Sequence, residues 1–214
     1  MTRLALIHAL AHSVAPINEA LARDWPEATR MNLLDDSLSA DLAASAAGLD
    51  DAMTRRFVAL ADYAVGTGAH AIVFTCSAFG PCIDAVKRRH ATIPVLKPNE
   101  AMVDEAAALG VRVGLVATFG PTLRSMPPEF PPGVELRTAL ADGALDALNR
   151  GDVVRHDELA TQAAKRLVEH EGCGAVVLAQ FSLARARPLV EAACGVPVLT
   201  TVDSAVRALR ARLG

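Results

Sequence analysis

The feature that most constrains the fold is a repeat of four short apolar segments, which occur in the same order in each half of the 214-residue chain. Corresponding segments lie 103 to 109 residues apart. A single match has little weight because apolar strands resemble each other by chance, but four in order indicate two similar halves. The segments are Arg3–Ile7, Thr29–Leu34, Ala71–Phe74 and Ile93–Leu96, followed by Arg112–Val116, Val134–Leu140, Gly174–Gln180 and Val196–Leu199.

Helical patterns separate these segments. Met53, Phe57, Leu60 and Ala64 recur every three or four residues, as on the buried face of a helix, and Pro16 stands where a helix is expected to begin. Strands that alternate with helices are typical of parallel β-α-β units. The sequence therefore predicts an α/β fold built from two similar halves.

The composition narrows the possible partners and compartments. Apolar residues make up 52% of the chain, and a formal net charge of −3 favours neither nucleic acid nor an anionic membrane as a partner. No apolar run is long enough to span a bilayer. The four cysteines contain no pair of C-x-x-C spacings, which favours reduced thiols and a cytoplasmic location.

Cys76 is the strongest candidate for a reacting group. It follows the apolar strand Ala71–Phe74, and a helical pattern begins after Pro81. The sulfur is therefore expected at the carboxyl edge of a sheet, close to the unpaired N–H groups at a helix start. Such a position typically lowers a thiol pKa from about 8.5 to between about 3.5 and 7.5. We expect Cys82, Cys173 and Cys194 to be structural.

Two further residues are candidates from their positions at strand ends. His8 ends the first strand, can titrate near neutral pH, and could be a second proton carrier. Gln180 ends the segment Gly174–Gln180 of the second half. This segment corresponds to the strand Ala71–Phe74, which precedes Cys76 in the first half. If the two halves face each other, one cleft lies between Cys76 and Gln180. His8 and His12 lack the H-E-x-x-H pattern, so no metal site is expected.

These motifs and the duplicated layout resemble those of the aspartate/glutamate racemase superfamily. The resemblance rests on Thr75-Cys76-Ser77-Ala78 and on Ala117-Thr118-Phe119-Gly120-Pro121-Thr122, and it covers nearly the whole chain. The family includes amino-acid and hydantoin racemases, maleate isomerase and arylmalonate decarboxylase. It implies two pseudo-symmetric three-layer α/β/α domains with parallel sheets, here residues 1–98 with 201–214, and residues 99–200. It also implies an active site in the inter-domain cleft, no cofactor, and a homodimer.

The chain departs from the family pattern at one important position. The racemases of the family carry a cysteine on each side of the substrate, whereas Gln180 replaces the second cysteine here. An amide does not exchange protons usefully near neutral pH, so racemisation by two cysteines is not expected. The candidate catalytic residues are Cys76, Gln180 and His8, and the resemblance suggests Ser77, Ala78, Phe79, Thr118, Thr122, Phe181 and Ser182 as substrate contacts.

The sequence leaves three functions open. The first is a cofactor-independent isomerase in which Cys76 transfers a proton next to the carboxylate of a small acid. The second is a C–C lyase that decarboxylates a malonate-like acid and needs a single proton donor. The third is a non-catalytic protein that binds small carboxylates.

Overall fold

A computed structural model describes residues 1–46 and 48–214 as two compact units. The first unit comprises Met1–Pro98 and Ala205–Gly214, and the second comprises Asn99–Ser204. The sequence analysis placed the second boundary four residues earlier, after residue 200.

The elements of both units alternate along the chain. The strands are β1 (Arg3–His8), β2 (Thr29–Leu34), β3 (Ala71–Phe74), β4 (Val95–Leu96), β5 (Val113–Ala117), β6 (Leu136–Leu140), β7 (Ala175–Leu178) and β8 (Val198–Thr200). The α-helices are α1 (Val14–Asp24), α2 (Ser37–Ala44), α3 (Asp51–Gly66), α4 (Gly80–Arg89), α5 (Glu100–Ala108), α6 (Thr122–Ser125), α7 (Ala144–Asn149), α8 (Val153–Glu171), α9 (Arg187–Cys194) and α10 (Thr201–Leu213). Short 3₁₀ turns lie at Ala11–Ser13, Ser77–Phe79, Pro127–Glu129 and Phe181–Ala186.

The first unit contains a four-stranded parallel sheet in the order β2-β1-β3-β4. On one face, Ile72 and Phe74 of β3 pack in a cluster with Phe57 of α3 and Ile83 of α4. The alternate residues of β1 and β3, such as Leu4 and Val73, are also fully buried. Both faces of the sheet are therefore covered, as parallel sheets require.

The second unit repeats this topology in the order β6-β5-β7-β8. Val176 and Leu178 of β7 pack in one cluster with residues of α8, while Val177 between them packs in another cluster that includes Met102 of α5. This alternation confirms the prediction of two α/β halves with parallel sheets flanked by helices. Among the helices of residues 1–46 and 48–214, none is both long enough and apolar enough to cross a membrane.

Two strands, Thr29–Leu34 and Ala71–Phe74, have the ranges that the sequence predicted, and the other strands differ by one or two residues at an end. Among these, β4 and β8 start two residues later than predicted, each just after a proline. Proline has no N–H to donate to a ladder. The carbonyls of Pro94 and Pro197 instead accept from Ile72 and Val176, each at 2.9 Å, just before the strands begin.

Gly114 provides a test of the packing between β5 and α8. A Cβ atom at Gly114 would lie 3.0 and 3.1 Å from side-chain carbons of Leu167 and 3.3 Å from the sulfur of Cys173. Overpacking of this kind costs about 1–3 kcal/mol. We expect Gly114→Ala to lower the free energy of unfolding, measured by urea titration, by about 1–3 kcal/mol.

Gly66→Ala is the matched control for this prediction. Gly66 ends α3, and a Cβ there meets nothing within 4 Å. Alanine in a helix is favoured over glycine by roughly 0.5–1 kcal/mol, so this variant should be neutral or slightly more stable. Equal destabilisation by the two substitutions would contradict the packing described here.

Candidate active site

Cys76 lies where β3 gives way to the turn that leads into α4. Its backbone is extended, and it caps the 3₁₀ turn Ser77–Phe79. Cys76 thus stands between the strand end and the turn that leads into α4, where the sequence predicted it.

The pKa of Cys76 differs from the sequence prediction. Burial raises the pKa of the Cys76 thiol above its ordinary value, although hydrogen bonds from the Ala78 N–H and the Ser39 side chain oppose this effect. The expected lowering of the pKa was therefore wrong. The sequence indicated the backbone donors but not the apolar surroundings, which disfavour the thiolate.

These surroundings form a narrow recess that is partly open to solvent and too small to hold a water molecule. Its lining is almost entirely apolar and consists of Ile7, His8, Ala9, Leu38, Phe57, Phe74 and Cys76. Leu38 and Phe57 are contributed by α2 and α3, far from Cys76 in sequence. The recess therefore gives the thiol a low-dielectric environment.

Phe79 belongs to the core that supports this recess. It is fully buried, and its ring centroid lies 4.8 Å from that of Phe57. The ring of Phe79 is therefore enclosed by its neighbours, and its suggested contact with a substrate stays a prediction. Ser77 is partly exposed and Ala78 is exposed, beside Cys76 in the chain.

His8 lies at the same edge of the sheet but has no nitrogen free for chemistry. Its side chain is fully buried, with Nδ1 3.0 Å from the Thr75 hydroxyl and Nε2 3.0 Å from the Asn32 side-chain oxygen. Burial lowers the pKa of His8, which keeps the ring neutral. The role of His8 as a second proton carrier stays a prediction, and a buried ring with both nitrogens hydrogen-bonded argues against it.

The hydrogen-bond network fixes the tautomer of His8. The Asn18 side-chain nitrogen donates to the Val14 carbonyl, at 2.7 Å, and to the Asn32 side-chain oxygen, at 2.8 Å. The Asn32 oxygen is therefore an acceptor, so His8 carries its proton on Nε2. Nδ1 then accepts from the Thr75 hydroxyl, which anchors the residue before Cys76.

The buried His8 predicts a specific pH dependence of stability. Because the pKa of His8 is lowered in the folded state, the unfolded chain binds a proton that the folded chain does not once the pH falls below about 6.5. Stability is then lost as the pH falls towards the folded-state pKa, by up to about 1.4 kcal/mol per pH unit. His8→Gln cannot titrate and should lose less stability than the wild type between pH 7.5 and 5.5.

Urea titrations at these two pH values measure this difference. His12→Gln is the control, because the His12 side chain is exposed, and it should keep the wild-type pH dependence. A His8→Gln variant with the same acid sensitivity as the wild type would show that His8 is not the group responsible.

Gln180 occupies the corresponding place in the second unit. Like Cys76, it has an extended backbone and caps a 3₁₀ turn, here Phe181–Ala186. Its side-chain oxygen accepts from the Thr118 backbone N–H at 2.6 Å and from the Thr118 hydroxyl at 3.0 Å. A backbone N–H can only donate, so the amide oxygen faces Thr118 and the NH₂ group is on the other side. Gln180 is thus oriented as a hydrogen-bond donor.

The remaining candidates in the second unit differ in their exposure. Thr118 and Thr122 are buried, with 7% and 6% of their surface exposed. The Thr118 hydroxyl donates its hydrogen to the Gln180 side-chain oxygen. Phe181 is only 3% exposed, and its suggested contact with a substrate stays a prediction. Ser182 is partly exposed on the turn after Gln180.

Sequence reasoning missed Ser39, the side chain that reaches Cys76 from α2. The Ser39 hydroxyl donates to the Ala9 carbonyl at 2.9 Å, and its side chain opposes the rise in the pKa of the Cys76 thiol. No local motif marks this serine. Its position depends on the packing of α2 next to the ends of β1 and β3, which periodicity alone does not reveal.

The comparisons with known proteins identify the family. The model of the Asp/Glu/hydantoin racemase family matches residues 11–209. The chain belongs to this family. A comparison with curated protein sequences found no match.

Solved structures share the fold at low sequence identity. An aspartate racemase homologue from Pyrococcus horikoshii has a TM-score of 0.74 and 17% identity, over 99% of both chains. The allantoin racemase from Klebsiella pneumoniae has a TM-score of 0.72 and 17% identity, over 99% of this chain and 87% of its own. A cysteine variant of arylmalonate decarboxylase with an associated sulfate ion has a TM-score of 0.66 and 19% identity, over 99% of this chain and 94% of its own.

Proposed function

We propose that this protein is a cofactor-independent enzyme that transfers a proton at the carbon next to the carboxylate of a small acid, with Cys76 as the proton carrier. The observation that carries the proposal is the position of Cys76 after β3, at the start of the turn Ser77–Phe79. Membership of the racemase family supports the same reaction class. In the first candidate reaction the protein is an isomerase.

Gln180 serves as a fixed donor in this proposal. Its oxygen is held by two hydrogen bonds from Thr118, so its NH₂ group is oriented without further loss of freedom. Donors held in place in this way stabilise a carboxylate or a developing enolate oxygen better than mobile ones do. Gln180 therefore contributes binding and charge stabilisation, and it exchanges no proton.

Decarboxylation is the second candidate, and two observations favour it. Burial raises the pKa of the Cys76 thiol and so favours its protonated form, and His8, which is buried and hydrogen-bonded at both ring nitrogens, offers no second proton carrier. In a decarboxylation the C–C bond breaks, CO₂ leaves, and the electron pair remains on the substrate as an enolate. The thiol then gives its proton to the carbon, and water restores the proton on sulfur.

Cys76→Ala tests the proposal in both versions. We expect this variant to lose proton transfer by at least about 100-fold, because general acid–base groups typically contribute that much. The assay follows deuterium incorporation and CO₂ release in D₂O over a panel of amino acids, hydantoins and substituted malonates. Cys194→Ala is the control, since Cys194 ends α9 in the second unit, and it should keep full activity.

The products distinguish the alternatives. Deuterium at the α-carbon of an otherwise unchanged acid supports the isomerase, and CO₂ release supports the lyase. Ligands that raise the melting temperature without any turnover would support the third function, a carboxylate-binding protein. Full activity in Cys76→Ala would contradict the role of the thiol.

Gln180→Glu tests the proposed donor. Glutamate keeps both hydrogen bonds from Thr118 but replaces the NH₂ donors by a second oxygen and a negative charge. We expect KM for the acid substrate, or Kd for a bound acid, to rise about tenfold or more, because the loss of a hydrogen bond to a charged group costs about 1.5–3 kcal/mol.

Gln162→Glu makes the same change of charge on an exposed position of α8. It controls for the change in net charge and should leave KM and Kd unchanged. Similar affinities in the Gln180 and Gln162 variants would exclude Gln180 from the binding site.

A further inference from the structure

Thr75, the residue before Cys76, is bonded to the end of β1 through both its backbone and its side chain. Its N–H donates to the Ile7 carbonyl at 3.1 Å, one residue beyond the last registered pair of the two strands, Ile7 and Phe74. Its hydroxyl oxygen lies 3.0 Å from Nδ1 of His8 and 3.5 Å from the Ile7 carbonyl oxygen. Thr75 is only 5% exposed. The end of β3 is therefore fastened to two consecutive residues of β1.

The Thr75 hydroxyl donates to His8 because Nδ1 is the nitrogen of the ring that can accept. Nε2 lies 3.0 Å from the Asn32 side-chain oxygen, which also accepts from Asn18 of α1 at 2.8 Å, so Nε2 carries the proton. Nδ1 is then a lone pair, and the Thr75 hydroxyl supplies the hydrogen. A chain of hydrogen bonds thus runs from α1 through β2 and β1 to the residue before the thiol.

Cys76 lies on the other side of the strand end from this chain of hydrogen bonds. Its backbone is extended, so the side chains of Thr75 and Cys76 point to opposite faces of the sheet. Cys76 packs against the cluster that contains Phe57 and Phe74, on the face covered by α3 and α4. Because the two residues share one short stretch of backbone, a Thr75 side chain held on one face keeps the thiol on the other.

We propose that Thr75 is a positioning residue, whose hydrogen bond to His8 holds the Cys76 thiol in the apolar recess. His8 and Cys76 both line that recess. Without the side-chain bond, the strand end keeps only the backbone bond to Ile7, and Cys76 leaves the recess more often. The inference rests on the proposed function only in treating Cys76 as the reacting group, and its test needs no substrate.

The rate at which iodoacetamide alkylates Cys76 reports how often the thiol leaves the recess. It is measured on the full folded chain at about pH 8, close to the ordinary pKa of a thiol. Cys82 is fully buried in the same cluster, so its alkylation reports unfolding of the first unit as a whole. Chymotrypsin can cleave between the two cysteines at Phe79, so mass spectrometry follows each site separately.

Three variants of Thr75 test the hydroxyl group. We expect Thr75→Val, which keeps the shape of the side chain, to raise the Cys76 rate about two- to tenfold, the usual effect of one lost hydrogen bond on an equilibrium. Thr75→Ser keeps the hydroxyl and should stay close to the wild-type rate. Thr75→Ala differs from serine by a single oxygen and should react faster than serine by the same factor. The Ser and Ala pair keeps the test valid if the valine variant fails to fold.

Thr161→Val is the matched control, because Thr161 is a buried threonine of α8 in the second unit, and its hydroxyl donates to the Asp157 carbonyl at 2.8 Å. It should leave the Cys76 rate unchanged. Wild-type rates in both Thr75→Val and Thr75→Ala would overturn the proposal. Equal increases at Cys76 and Cys82 would also overturn it, because they assign Thr75 to the stability of the whole unit. Either result leaves the Cys76→Ala activity test unaffected, so the two proposals fail separately.

Discussion

Parallel pairing of short strands is the constraint on which both units depend. A chain that makes parallel strands must return outside the sheet after each one, so helices cover both faces and all the strands end at one edge. In the first unit this edge brings His8 to Thr75, the residue before Cys76, and in the second it brings Thr118 to Gln180. Residues distant in sequence become neighbours because of this topology and not because of any local motif.

The two units use the same backbone arrangement for different chemistry. Cys76 and Gln180 each follow a buried strand with extended backbone, and each caps a 3₁₀ turn. The first unit surrounds its thiol with apolar side chains, which favours the protonated form. The second unit holds its amide with two hydrogen bonds from Thr118, which fixes the direction of the donors.

The sequence predicted the fold in detail because apolar periodicity reports which residues are buried. It placed Ala71–Phe74 correctly and put Cys76 at the strand end for the right reason. It could not predict the pKa of Cys76, because Leu38 and Phe57 reach the recess from other elements. Burial lowers the pKa of His8, and its ring nitrogens bond to Thr75 and Asn32, which are 67 and 24 residues away. Contacts of this kind depend on tertiary packing, which a single sequence does not encode in any local pattern.

The chain leaves the first unit at residue 98 and returns to it at residue 205, and this affects how the protein can fold during synthesis. Residues 99–204 are continuous, so the second unit has all its strands once residue 204 has emerged from the ribosome. The first unit begins earlier but waits for α10, where Leu209 is fully buried and Arg210 donates to the Asp24 carbonyl. Translation therefore completes the second unit before the first unit, although the first unit carries Cys76.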